Sequence, residues 1–160
     1  MVWAAKDIHY VAELLLVRST YVGMSARQRL VVIRLRLADH HFGANRLVTS
    51  VSAVEVLARS LAMGLKAKSK AEKDAIYSKY RDRQPKPLVT EYFAARGITD
   101  LARHLGQDTW RLFGYAVDYR NMLAHECTYL GQDKFPSLIE ACEEVLSALV
   151  RLGRVPNLRT

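Results

Sequence analysis

Asp118-Tyr119-Arg120-Asn121-Met122-Leu123-Ala124-His125-Glu126 closes a stretch of strong helical character that begins near Asp108, and Gly131 and Pro136 punctuate the chain after it. At 100° per residue, Phe113, Ala116, Arg120 and Leu123 fall on one stripe with the three-four-three spacing of a packed helix face. Arg120 therefore stands where an apolar residue is expected. A guanidinium keeps its charge, so it must reach water, a carboxylate or a bound anion. A second row, Gly114, Asp118, Asn121 and His125, runs beside the first, rotated by about a third of a turn. A cation and a titratable imidazole thus come together near one helix end, the pair that proton transfer beside a phosphate requires.

The same periodicity runs through the rest of the chain, and the expected fold is all-α. Residues 2–21 predict a first helix with Val11, Leu14, Leu15 and Arg18 on one side, ended by Gly23. A helix over 26–41, with Ser25 as its N-cap, carries Leu30, Ile33, Leu37 and Phe42 inward until Gly43 interrupts it. Leu47, Val51, Val54, Ala58, Leu61 and Leu65 then alternate steps of three and four. Glu55 and Arg59 stand four apart on that helix and can pair along it. In the next segment Lys66, Lys68, Lys70, Lys73, Lys79, Arg81, Arg83 and Lys86 outnumber Glu72, Asp74 and Asp82, with Tyr77 and Tyr80 interleaved. Gln84-Pro85-Lys86-Pro87 breaks that helix. Two short helices split by Gly97 follow over 88–105, the second capped by Thr99 or Asp100. Asp108 is read as the cap of the helix that delivers Arg120 and His125. Asp133 and Pro136 mark the start of the last helix, whose expected inner side is Ile139, Cys142, Leu146, Leu149 and Val150.

At 160 residues the chain is most simply one domain, 1–160, and 50% apolar residues with four prolines fit a globular protein rather than a disordered one. A formal charge of +8 favours polyanionic partners such as RNA. Cys127 and Cys142 form no secreted-type framework and are expected as free thiols in a reducing compartment. Lys6, Asp7 and Glu13 interrupt any leader-like run, and no apolar run approaches the roughly 20 residues that span a bilayer. A cytoplasmic protein without a membrane partner is expected.

Arg120-Asn121-Met122-Leu123-Ala124-His125 resembles the Arg-x4-His signature of the HEPN superfamily (higher eukaryotes and prokaryotes nucleotide-binding). These are small all-α domains, many of them metal-independent ribonucleases of toxin–antitoxin and phage-defence systems. The resemblance implies a four-helix up-and-down core, with residues 1–23 as an extra N-terminal helix and 67–106 as a basic helical insertion between two hairpins. In some members an acidic residue is followed four positions later by a basic one, the arrangement of Glu55 and Arg59. The resemblance further implies His125 as general base and acid, Arg120 as the cation that stabilises the phosphorane, and Asn121 as an assistant. Asp118, Glu55 and Arg59 would support them. No cofactor or metal is implied. A homodimer packed through this helix would bring two His and two Arg to one cleft, and a cognate antitoxin is a further implied partner. Some members place a modifiable Tyr two residues after the His; here that position is Cys127, and the tyrosine comes at Tyr129.

The residues alone leave other readings open. Arg120 can pair with a glutamate across the bundle, His125 can rest on the last carbonyls of its helix, Asn121 can be a surface amide and Asp118 a solvated charge. Lys70, Lys73, Tyr77, Lys79, Tyr80, Arg81 and Arg83 can track a phosphate backbone and stack bases, or can form a solvated helix face. Asp39, His40 and His41 make a poor metal site, because adjacent histidines point to different sides of a helix. A non-catalytic HEPN-type module that binds RNA, a nucleotide or a protein is the main alternative to a nuclease. An all-α interaction protein is the third. No Gly-rich phosphate loop or Gly-x-Ser-x-Gly turn occurs.

Overall fold

The computed structural model describes residues 7–23, 28, 30, 43–128 and 131–155. They form α1 (Ile8–Gly23), α2 (Ala44–Lys66), α3 (Lys70–Tyr80), α4 (Pro85–Ala95), α5 (Leu101–Leu105), α6 (Gln107–Glu126) and α7 (Phe135–Gly153), with one 3-10 turn at Gln132–Lys134. Among the described residues there is no strand, and the protein is all-α. Of the expected helix over 26–41 only Gln28 and Leu30 are described; both are helical, and Leu30, expected to point inward, is exposed. The rest of that helix lies outside the described residues, as do Asp39, His40, His41 and Tyr129.

α2, α6 and α7 pack against one another in pairs, α4 lies along α2, and α1 leans on α6. Periodicity explains α2 well as far as Ala58: Leu47, Val51, Val54 and Ala58 are fully buried. The stripe then advances by four to Ala62, so Leu61 is half-buried and Leu65 is exposed. α6 follows its predicted stripe throughout, with Phe113, Ala116 and Leu123 inside. α7 departs from expectation. Its buried side is Leu138, Ala141, Cys142, Val145, Ala148 and Leu149, while Ile139, Leu146 and Val150 sit at the edge. It is gripped by both α2 and α6, so its apolar arc is wider than a single stripe and centred on their seam.

The 67–106 segment is not an appendage to this core. α4 buries Leu88, Val89, Tyr92 and Phe93 in the same cluster as α2, α6 and α7. α3 is the exposed part, started by a reciprocal cap in which Ser69 Oγ accepts from the Glu72 amide at 3.2 Å and donates to Glu72 Oε1 at 3.1 Å. Asp100 caps α5 by accepting from the Arg103 amide at 3.1 Å. Gly106, not Asp108, is the N-cap of α6; Asp108 lies in the first turn, where its charge suits the helix dipole. α2 is also long and apolar enough, by length and composition, to cross a membrane. A search for an unbroken apolar run passes over it because Arg46, Glu55 and Arg59 interrupt it. Here its apolar stripe covers the other helices, and Glu55 and Arg59 are engaged within the bundle.

α1 is fastened to the loop between α6 and α7. The Tyr119 hydroxyl donates to Glu13 Oε1, and Lys134 Nζ lies 2.8 Å from Glu13 Oε2. Burial alone would lower the Lys134 ammonium, but Glu13 and Asp133 hold it above its ordinary range. Gly131 closes this arrangement at φ +92°, and a Cβ there would stand 2.5 Å from the Tyr119 ring and 2.8 Å from Glu13 Oε1. Gly131→Ala is therefore expected to cost about 2–4 kcal/mol, combining left-handed strain with overpacking. Thermal denaturation followed by circular dichroism should show a melting temperature about 5–10 °C lower; an unchanged value would mean the loop does not seat against Tyr119.

Candidate functional site

Arg120 lies between buried Ala116 and Leu123, and only 12% of its side chain is exposed. The carboxylate it needs comes from α2: Nη1 donates to Glu55 Oε2 at 3.4 Å. Its Nε donates to Asn121 Oδ1 at 3.0 Å. Glu55 also faces Arg59, with Oε1 3.6 Å from Nη2, so one carboxylate is shared by two guanidiniums. Arg59 does a second job, donating to the carbonyls of Tyr80 at 3.1 Å and Arg81 at 3.2 Å and so closing the C-terminal end of α3. Asn121 Nδ2 reaches Gln84 Oε1 weakly, at 3.5 Å. The fold thus gathers Glu55, Arg59, Arg120 and Asn121 from two helices 65 residues apart in sequence.

Arg120 also acts beyond this network. Burial, and then Glu143, push the Cys142 thiol up to about 12, with the Arg120 charge opposing them. Cys142 is accordingly an inert core thiol. Two Arg120 N–H groups are engaged among the described residues, out of the five a guanidinium carries.

His125 stands apart from the network. It is exposed, it makes no side-chain hydrogen bond among the described residues, and five residues of helix turn it about 140° from Arg120. α6 ends immediately beyond it, at Cys127, a non-glycine residue in the left-handed region with φ +50°. Asp118 lies on the His125 side of the helix and meets solvent, although partial desolvation raises its carboxyl and Lys86 pulls it back down. Within the chain, then, the anchored guanidinium and the imidazole share a helix but not a direction.

The basic segment divides in two. Lys70, Lys73, Tyr77, Lys79 and Arg81 are exposed. Tyr80 and Arg83 contradict the expectation of a base-stacking surface. Tyr80 is 2% exposed, its hydroxyl donates to Glu91 Oε1 at 2.9 Å, and the Arg83 guanidinium sits 4.1 Å from its ring centre while pairing with Glu91. Lys66 joins them, 3.2 Å from Glu91. Burial alone would raise the Glu91 carboxyl, but the Tyr80 hydrogen bond, Lys66 and Arg83 hold it below its ordinary range. Ile76 and Tyr80, four residues apart, form the inward face of α3. That spacing is the sequence signal that the density of charge conceals.

A groove of about 490 Å³ between α5 and α7 is lined by His104, Glu140, Glu143, Glu144 and Arg151 among others. Its three glutamates suit no polyanion. Among the described residues no three His, Cys, Asp or Glu side chains converge to hold a metal. Comparison of the chain with protein-family models, with curated proteins and with solved structures finds no match.

Proposed function

We propose that the protein is a metal-independent endoribonuclease of the HEPN type, acting as a homodimer. One observation carries the reading: an anchored Arg120, clamped by Glu55, shares the last turns of α6 with an exposed His125 that makes no side-chain hydrogen bond among the described residues. In the proposed reaction one imidazole takes the 2′-hydroxyl proton while O2′ bonds to phosphorus. The P–O5′ bond breaks, and the departing 5′-oxygen receives its proton from the partner protomer's imidazole. The two-fold pairing answers the 140° divergence, because a second copy supplies the groups that one protomer turns away. The Arg120 N–H groups that are unengaged among the described residues meet the charge growing on the phosphorane, and Asn121 holds the guanidinium plane. A cytoplasmic toxin or phage-defence role, with a cognate antitoxin, follows from the family resemblance.

The second reading is a non-catalytic HEPN-type RNA-, nucleotide- or protein-binding module. It is favoured by the low exposure of Arg120, which is the mark of a structural ion pair. Incubating the protein with labelled RNA in EDTA and mapping the ends separates the two. Fragments bearing a 2′,3′-cyclic phosphate and a 5′-hydroxyl are expected. Bound but intact RNA would replace the ribonuclease reading by the module.

A further inference from the structure

Gly114 sits in the middle of α6, where glycine costs a helix about 1 kcal/mol relative to alanine. The Lys86 side chain lies over it: a Cβ at this position would stand 3.1 Å from Lys86 Nζ. Lys86, in the first turn of α4, lays its side chain across the gap. Its ammonium rests 4.8 Å from the centre of the Trp110 ring, and that indole is stacked on buried Phe113. A lysine at the start of a proline-flanked helix is thereby held in one place by an aromatic platform and a missing side chain.

The place matters because of what shares it. Trp110, Gly114, Asp118, Asn121 and His125 fall within an arc of about 80° on α6. Gln84, two residues before Lys86, meets Asn121 from the same side. The N-terminal segment of α4 therefore borders a strip that begins at Lys86 and ends at His125. We propose that this strip is a path for single-stranded RNA, with Lys86 taking a backbone phosphate about 16 Å along the helix from His125.

The inference rests on the ribonuclease reading for what happens at the His125 end, and it adds where the rest of the strand lies. The exposed cations of α3 lie on a different helix with Tyr77 alone beside them, because Tyr80, the second aromatic of that segment, is buried. Asp118 is the opposing charge on the strip, within electrostatic reach of Lys86. The strand is expected to gain when Asp118 is neutralised.

The test uses full-length His125→Ala protein, so that RNA stays intact, and a fluorescently labelled single-stranded RNA read by anisotropy across a salt series. Lys86→Gln in that background is expected to weaken binding about fivefold or more at 0.1 M salt. It should also reduce the slope of log affinity against log salt by about 0.7, one phosphate contact on a single strand. Lys86→Arg should bind like the parent, and Asp118→Asn should bind more tightly. Equal affinity and slope for parent and Lys86→Gln, or no RNA binding by the parent, would overturn the path. Cleavage by otherwise unaltered protein in EDTA is scored separately. Cleavage with Lys86-independent binding removes the path alone, and Lys86-dependent binding without cleavage removes the ribonuclease alone.

Discussion

Replacing His125 by alanine is expected to lower RNA cleavage by about 10²–10⁴-fold, the usual contribution of a positioned acid–base group, and to leave the fold untouched. The side chain is exposed and makes no hydrogen bond among the described residues, so its removal falls among surface substitutions worth about 0.5 kcal/mol or less. Arg120→Ala is a different experiment. It removes a buried partner of Glu55 as well as any catalytic charge, so its loss of activity comes mixed with a loss of stability. His125 is therefore the cleaner probe of chemistry. Mixing the two proteins tests the proposed dimer as well. If each cleft needs an imidazole from both protomers, adding His125→Ala protein to the unaltered protein should depress activity more steeply than simple dilution. Cleavage by His125→Ala within threefold of the unaltered protein, measured on the same RNA, would end the proposal that this imidazole moves the proton.

Several of these features are legible from spacing alone, and the limits are physical. A 3.6-residue period locates α2 and α6, and it shows that Arg120 interrupts an apolar stripe. From there the chemistry of a guanidinium requires a counter-charge. It does not say which one, because the α2–α6 contact is tertiary and joins Glu55 to Arg120 across 65 positions. Spacing alone pairs Glu55 with Arg59, as found at 3.6 Å; only the family resemblance groups them with Arg120. α7 is harder, since a helix held from two sides buries more than one stripe and its centre cannot be placed until its neighbours are. Tyr80 shows the opposite failure: eleven charged residues between Lys66 and Lys86 outweigh one i, i+4 apolar pair, yet the pair decides which way α3 faces. Lys86 and Gln84 are hidden by Pro85 and Pro87, whose plain meaning is a helix break. That the break lies against α6 beside Gly114 needs the fold.

Glu55→Ala is the substitution expected to cost most stability within the charged network. The carboxylate serves two guanidiniums at 3.4 and 3.6 Å, and those side chains are only 12% and 13% exposed. Removing it leaves both cations close together with little water to screen them. Stripping one partner from a fully buried pair costs about 3–5 kcal/mol; the residual exposure here, 18% for Glu55 itself, brings the expectation to about 2–3 kcal/mol. For a chain of this length that is a fall of about 4–10 °C in melting temperature. Arg59 keeps its bonds to the Tyr80 and Arg81 carbonyls, so α3 stays anchored and the damage concentrates on Arg120. The double variant Glu55→Ala/Arg120→Leu should accordingly recover most of the loss. Leucine completes the apolar stripe between Ala116 and Leu123, and replacing a buried ion pair by packed hydrocarbon is often neutral or better. The recovery separates the two roles of the guanidinium: a protein that regains its melting temperature and still fails to cleave RNA has lost the chemistry of Arg120 and not the fold. A melting temperature that Glu55→Ala leaves within 1 °C of the unaltered protein would show that the pair is solvated, and Arg120 would then have to be read as a surface cation.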